Sequence, residues 1–119
     1  MSAFRAVVLE HFKRPRNRGP IERPTASIEG ANPLCGDRIR VQLRVQDDCV
    51  AEAGFTADAC AICIASASML TDRVRGMTIR DARAIDVRWL HGALEGEPPA
   101  ARRRCVTLPL DTLHRALDS

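Results

Sequence analysis

The chain has 119 residues, the length of one domain, and we predict that residues 1–119 form a single domain around one core. Hydrophobic residues make up 45% and charged residues 28%, as in ordinary globular proteins, whereas aromatic residues make up only 3%, so the core is expected to be aliphatic. The net charge of +3 favours no class of partner, and no apolar run reaches the ~20 residues of a membrane span, so no membrane partner is expected.

The start of the chain and its thiols bear on its location. The N-terminal sequence MSAFRAVVLEHF places an acid and a histidine where a signal peptide has an uninterrupted apolar stretch, so we expect a cytoplasmic protein. The cysteine count is odd, and disulfides are uncommon in a reducing compartment, so the thiols indicate metal binding or redox chemistry. The five cysteines are Cys35, Cys49, Cys60, Cys63 and Cys105.

The first predicted element is an amphipathic helix over residues 3–13, where apolar side chains recur at spacings of three and four. Ser2 is placed to cap its N-terminus. Prolines and a glycine then interrupt the segment KRPRNRGPIERP, residues 13–24, which we expect to be a surface loop.

A hairpin is the clearest feature of the middle of the chain. Residues 38–46, RIRVQLRVQ, alternate apolar and polar side chains without a break, as in a strand with one buried face. Asp47 and Asp48 supply a turn, and residues 49–57 return as an antiparallel partner. With a short edge strand over residues 25–29, the predicted sheet has about three strands.

The pattern then changes to that of helices. They are expected over residues 61–75, from a capping box at Thr78 and Asp81 through Ile85, over 86–94 and over 105–117. We expect Trp89 to anchor the fourth helix of the chain in the core and Pro109 to fall in the first turn of the last helix. The predicted fold class is α+β, a small antiparallel sheet of about three strands packed against four to five helices.

The stretch NPLCGD places a thiol and a carboxylate two residues apart. In an extended segment Cys35 and Asp37 can project to the same side and meet on one cation, with Gly36 allowing close backbone approach. A buried cysteine followed by an aspartate that caps a turn fits the same stretch equally well. The stretch alone leaves both interpretations open.

Two further thiols lie at predicted helix starts. Cys60 lies where strand gives way to helix, at the positive end of a helix dipole that favours the thiolate. Cys105 follows three arginines, residues 102–104, and we expect this cationic setting to lower its pKa, although a core cysteine behind a solvated basic run is the alternative. Three thiols and Asp37 make a plausible ligand set for zinc or iron, in a spacing that matches no familiar zinc finger.

Two other classes of protein find weak support in the residues. The basic runs at residues 13–18 and 102–104 suggest nucleic-acid binding, but aromatic residues for base stacking are nearly absent, so no nucleic-acid partner is predicted. The stretch from Cys60 to Cys63 has the spacing of a thiol oxidoreductase, but no βαβ pattern precedes it.

Four stretches taken together resemble one known family. They are VVLEHFKRPRNRG, GANPLCGDRI, CAICIASASML and RCVTLPLDTLHRAL, and in this order they are similar to the U-type iron–sulfur cluster assembly scaffolds, which include IscU, the N-terminal domain of NifU, and SufU. The resemblance implies an α+β fold in which four side chains converge at one exposed end, where family members bind zinc or iron or hold a nascent cluster. These residues are Cys35, Asp37, Cys60 and Cys105.

The resemblance also implies a function. A scaffold of this family accepts sulfur from a cysteine desulfurase, builds a transient 2Fe–2S cluster with iron on the four residues, and passes it to acceptor apoproteins as a carrier, not an enzyme, acting as a monomer or a cluster-bridged dimer. Cys105 is the first candidate for the persulfide acceptor and Cys60 the second, and zinc is expected in the cluster-free form. The alternative is a SufU-like, zinc-dependent sulfur acceptor for the desulfurase, a sulfurtransferase.

The chain departs from the family pattern at four places. Arg104 stands where IscU-like members have a histidine, and the insertion usual in SufU-like members between the second and third cysteines is absent. The segment EPPAARRR keeps only the two prolines of the IscU chaperone motif, so that chaperone is not predicted as a partner. Cys63 stands where the family more often has serine. We interpret it as a small buried residue in preference to a spare sulfur acceptor or redox partner.

Overall fold

A computed structural model describes residues 2–119. A three-stranded antiparallel sheet in the order β1-β2-β3 packs against helices, which confirms the predicted α+β class. In chain order the elements are α1 (Ala3–Lys13), β1 (Ala26–Asn32), β2 (Asp37–Gln46), β3 (Cys49–Asp58), α2 (Ala61–Val74), α3 (Ile79–Arg83), α4 (Val87–Ala93), a short 3-10 turn (Ala100–Arg102) and α5 (Arg103–Leu117).

The sheet follows the alternation of the central strand. Ile39, Val41 and Leu43 of β2 are buried on the face that meets the helices, and Val41 pairs with Phe55 of β3. The edge strand β1 extends to residue 32, further than predicted, because it pairs with β2 as far as the first residue of that strand. No helix within residues 2–119 is long and apolar enough to cross a membrane.

Helix α1 and the proline-rich segment are held to α2 by side-chain contacts. Ser2 caps α1 as predicted, because its Oγ accepts a hydrogen bond from the Arg5 amide at 3.2 Å. The buried hydroxyl of Ser68 on α2 lies 2.8 Å from His11 Nδ1 and accepts a hydrogen bond from the Arg16 amide, also at 2.8 Å. The first motif of the chain therefore fixes α1 and the following loop against the central helix.

Helix α5 lies against β1 and β2 at a point of very close approach. A Cβ atom built on Gly30 of β1 would collide with Oγ1 of Thr112, a buried residue of α5. Because glycine has no side chain, the strand and the helix can approach more closely here than any other residue would allow. This close packing sets the position of α5 relative to the sheet.

Two predictions about the helices were wrong. Trp89 is only partly buried, with the Arg73 guanidinium 5.8 Å from its ring centroid, and the core residue of α4 is its neighbour Leu90, which is 0% exposed. Pro109 lies in the second turn of α5, because the helix begins at Arg103. Proline has no N–H, so the carbonyl of Cys105, four residues earlier, does not receive its usual helical hydrogen bond.

Candidate metal centre

The ends of three elements meet at one end of the sheet. Asp37 is the first residue of β2, Cys60 is the N-cap of α2, and Cys105 lies in the first turn of α5. A carboxylate oxygen and the two sulfurs all lie within 4.8 Å of one another. Asp37 and Cys105 are buried, whereas Cys60 is half-buried. The fold therefore brings together three of the four residues named as ligands from the sequence.

Asp37 connects the two helices at this end. Its Oδ1 accepts a hydrogen bond from the Cys60 amide at 3.3 Å, and its Oδ2 accepts one from the Cys105 thiol at 3.6 Å. The Cys60 side chain makes no capping hydrogen bond of its own. The carboxylate thus orients the start of α2 and the first turn of α5 toward a common point.

The Cys35 sulfur lies outside this group. Cys35 is on the turn between β1 and β2, where its amide and that of Gly36 donate to the Asn32 carbonyl at 3.3 and 2.9 Å. Gly36 has a φ of 77°, so the backbone between Cys35 and Asp37 is not extended and their side chains do not share one face as the sequence had suggested. The Cys35 side chain is exposed.

The expected lowering of the Cys105 pKa is wrong. Burial raises the pKa of the Cys105 thiol to about 12, and the neighbouring Cys60 thiol and Asp37 charge act in the same direction. The Arg102 guanidinium opposes them through a hydrogen bond to the Cys105 sulfur. The cationic effect is therefore present, but it comes from one arginine and is smaller than the effect of burial.

Arg103 and Arg104, the other two arginines of the run, do not donate this hydrogen bond to the Cys105 sulfur. Arg104, which stands where IscU-like members have histidine, lines a surface groove of about 420 Å³ with Asn32, Thr107 and Asp111. Sequence reasoning treated residues 102–104 as one cationic run and did not single out Arg102. The signal for it was its spacing, three residues before Cys105, which brings two side chains together on one side of a helical turn.

The two remaining thiols have contrasting positions. Cys63 is 0% exposed, and its pKa is raised first by burial and then by the charges of Asp37, Cys60, Cys105 and Cys35. It is therefore a buried thiol close enough to the centre for these groups to act on it. Cys49 begins β3, and the ten residues of this strand, Cys49–Asp58, put it about 30 Å along the strand from the centre.

The donor set determines which ions suit the centre. Thiolates are soft ligands that zinc and iron prefer, and a carboxylate is a common additional ligand of both metals. Three donors within 4.8 Å of one another, drawn from three elements, are close enough to bind one metal ion.

The chain belongs to the family of NifU-like N-terminal domains, whose family model matches residues 3–119. It is 39% identical over 79 residues to the zinc-dependent sulfurtransferase SufU of Bacillus subtilis (66% of this chain, 53% of that protein). It is 36% identical over 110 residues to the iron–sulfur cluster assembly scaffold protein IscU 1 of Archaeoglobus fulgidus (92% of this chain, 71% of that protein). The family resemblance inferred from the sequence is thus confirmed.

Longer proteins also contain a region similar to this chain. The bifunctional protein NifU/MnmA of Rubrobacter xylanophilus is 38% identical over 112 residues, which are 93% of this chain and only 23% of that protein. Among solved structures, a putative SufU scaffold from Fervidobacterium islandicum superposes with a TM-score of 0.81 at 23% identity, covering 93% of each chain. At this identity the match shows a shared fold.

Proposed function

We propose that this protein is an iron–sulfur cluster assembly scaffold, acting in the cytoplasm as one domain. It accepts sulfur from a cysteine desulfurase, takes up iron, holds a transient 2Fe–2S cluster, and passes the cluster to acceptor apoproteins. The observation that carries the proposal is the convergence of Asp37, Cys60 and Cys105 within 4.8 Å in a chain that belongs to the NifU-like family. The oligomeric form in this proposal is a monomer or a dimer bridged by the cluster.

Cys35 is the fourth ligand in this proposal. Its turn joins β1 to Asp37, and its side chain is exposed with no strand pairing to hold it. A rotation of the turn about Gly36, which glycine permits at low cost, moves the Cys35 sulfur toward the other three donors. Ligands from a turn and from two helix starts then enclose the cluster from three sides.

Asp37 makes the site suited to release as well as binding. Three thiolates hold iron through soft donors, while the carboxylate is a hard donor that binds an iron–sulfur cluster less tightly than a fourth thiolate. The carboxylate also has alternative partners in the cluster-free protein, namely the Cys60 amide and the Cys105 thiol. Release of the cluster therefore leaves no buried carboxylate unpaired.

Exposure changes the order of the candidate sulfur acceptors. Cys105 is 2% exposed, so a persulfide donor reaches it poorly, while Cys60 is half-buried at the start of α2. We therefore place Cys60 first and Cys105 second as acceptor of the desulfurase persulfide. A sulfur bound to either lies close enough to pass to the other, because both sulfurs belong to the same 4.8 Å group.

A second candidate function uses the same residues. In a zinc-dependent sulfur acceptor, zinc would occupy the thiolates and Asp37, and one thiolate would leave the metal to attack the persulfide. The similarity to a Bacillus subtilis protein named as a zinc-dependent sulfurtransferase supports this alternative. Here the metal stays in place and no cluster is built.

Anaerobic reconstitution distinguishes the two functions. The metal-free protein is incubated with ferrous iron and sulfide, and its visible spectrum and metal content are measured beside the variants Cys60→Ser and Cys49→Ser. A scaffold gives a coloured product that Cys60→Ser lacks and Cys49→Ser retains. A protein that stays colourless with iron and sulfide, but binds one zinc through Cys60 in a parallel incubation with zinc, supports the sulfur acceptor instead, and failure to bind either metal contradicts both functions.

A further inference from the structure

The two thiols of the stretch Cys60-Ala-Ile-Cys63 lie three residues apart at the start of α2. Cys60 is the N-cap, with φ −69° and ψ 166°, and Cys63 is therefore the third residue of the helix. In a capping box the side chain at each of these two positions reaches the backbone amide of the other residue, so both side chains lie at the same helix end. Cys60 makes no capping hydrogen bond to an amide of α2; its thiol is hydrogen-bonded to Cys105 and leaves that contact to meet Cys63.

A disulfide between these residues needs a small approach of Cys60. Disulfides join residues whose Cβ atoms are about 3.5–4.5 Å apart, whereas residues three apart on a helix have Cβ atoms about 5–6 Å apart. Cys60 can supply this approach, because its extended backbone lies outside the helix and adjusts without unwinding α2. A bond between Cys60 and Cys63 is therefore compatible with the fold once Cys60 has moved.

The two thiols differ in what can reach them. Cys60 is half-buried and accessible from the surface, whereas Cys63 is 0% exposed. Cys63 is thus protected from external reagents, and a sulfur species can meet it only after binding to one of the thiols of the centre.

We propose that Cys63 is the resolving thiol of the centre, which releases sulfide from a persulfide on Cys60. The proposal rests on the proposed function in one respect, namely that sulfur arrives as a persulfide. Cys63 is predicted to act on the sulfur of Cys60 and to need no other protein for this step. Its position explains why a thiol here, in place of serine, adds a chemical capacity to the site.

The step balances without another reactant. The Cys63 sulfur attacks Cys60 Sγ, a Cys60–Cys63 disulfide forms, and the bond between Cys60 Sγ and the outer sulfur breaks. The outer sulfur leaves with the bonding electron pair, takes the Cys63 proton and departs as hydrogen sulfide. The Cys63 sulfur is oxidised and the outer sulfur is reduced. A dithiol reductant then restores both cysteines for another cycle.

The experiment uses metal-free protein loaded with inorganic polysulfide and then desalted, so that only bound sulfane sulfur remains. Released sulfide is trapped with a bimane reagent over time, and peptide masses report a persulfide as one added sulfur and a disulfide as the loss of two hydrogens. Trypsin leaves Cys49, Cys60 and Cys63 in one peptide, since no Lys or Arg lies between Arg44 and Arg73. The Cys49→Ser variant therefore assigns the disulfide.

We expect the wild-type protein and Cys49→Ser to release sulfide as the Cys60–Cys63 disulfide appears. The Cys63→Ser variant should keep its persulfide on Cys60 and release sulfide at least about tenfold more slowly, because it lacks the intramolecular thiol. Equal release by wild type and Cys63→Ser overturns the inference, as does a persulfide found only on Cys35 or Cys105.

Two controls separate this inference from the proposed function. Cys63→Ser should assemble a coloured cluster from iron and inorganic sulfide as well as the wild type does, because the sulfide is then supplied and Cys63 is not a ligand. If the wild type forms no coloured product, the scaffold function is contradicted. The sulfide measurement still tests the role of Cys63 in that case. In a glutathione redox buffer, absence of a Cys60–Cys63 disulfide overturns the inference whatever the scaffold result.

Discussion

Opposite ends of the sheet carry similar residues with different outcomes. At one end Cys35 and Asp37 flank Gly36, and at the other Asp47 and Asp48 directly precede Cys49. The second stretch has more carboxylates, but both aspartates are exposed, with φ values of 54° and 60° in a hairpin turn. At the first stretch further donors lie close by, because α2 and α5 begin at the same end of the sheet. Convergence of elements, not local spacing, makes the candidate centre.

The largest expected effect comes from removing one thiol at each end. Cys60→Ser removes a ligand from the centre, and we expect the affinity for zinc to fall by at least about two orders of magnitude, because a structural zinc site depends on each of its few ligands. Cys49→Ser at the far end should leave the affinity unchanged. Competition with a chromophoric chelator measures both. Comparable losses of zinc affinity in the two variants would mean that the donors at the far end also bind zinc.

Packing at the close contact of β1 with α5 and at an open helix position can be compared with a pair of glycines. Gly30→Ala forces a methyl group into Thr112, whose hydroxyl is already bonded to the Leu108 carbonyl at 2.8 Å, and should lower the free energy of unfolding by about 1–3 kcal/mol. Gly92→Ala in α4 meets open space and should raise it by roughly 0.5–1 kcal/mol. Urea unfolding of the metal-free proteins measures both changes.

The zinc affinity of Gly30→Ala sharpens this test. Because α5 carries Cys105, displacement of the helix should weaken zinc binding in Gly30→Ala and not in Gly92→Ala. A destabilised Gly30→Ala protein with wild-type affinity would show that the close contact of β1 and α5 does not position the centre.

The carboxylates at the two ends should differ in their effect on cluster release. Asp37→Ala removes the hard donor, and we expect transfer of a bound cluster to an acceptor apoprotein to slow by about fivefold, because the weakest link to the cluster is lost. Asp48→Ala is the matched control and should transfer at the wild-type rate. The visible spectrum of the acceptor follows transfer, and an unchanged rate in Asp37→Ala counts against this role.

The smallest expected effect is a pH dependence of stability in alkaline solution that arises from the buried Cys105 thiol. Burial raises the pKa of Cys105 to about 12, above that of an unfolded cysteine, about 8.5. The stabilisation is therefore complete below the unfolded pKa and is lost as pH rises toward the folded value, because the unfolded chain loses its proton first. Metal-free protein should unfold at lower urea concentration at pH 10 than at pH 8. Cys105→Ser should reduce that difference, and Cys49→Ser should not.

Local features of the fold were predictable from the sequence, because their causes are local. The alternation over residues 38–46 predicted a strand, and Ser2 and Thr78 cap their helices as predicted, through side chains that accept amide hydrogen bonds. The errors came from small shifts in where a helix begins and in which of its side chains faces the core. Trp89 and Leu90 are neighbours, and only the packing of α4 determines which one is buried.

The candidate centre depended on facts that spacing does not contain. Asp37 lies 23 residues from Cys60 and 68 from Cys105, so their meeting followed from the family resemblance and not from the residues alone. The sequence showed the charges around Cys105 but not its burial, and burial dominates its pKa. The position of Cys35 depends on the left-handed backbone of Gly36, which a pattern of apolar and polar residues does not reveal.

X-ray absorption spectroscopy of the zinc-loaded protein tests the central claim most directly. Zinc bound by Cys35, Asp37, Cys60 and Cys105 gives three sulfur ligands at about 2.3 Å and one oxygen ligand at about 2.0–2.2 Å. Cys60→Ser should lose one of the sulfur ligands, and Cys49→Ser should lose none. A zinc ion coordinated only by oxygen and nitrogen, or one whose ligands include Cys49, would contradict the account.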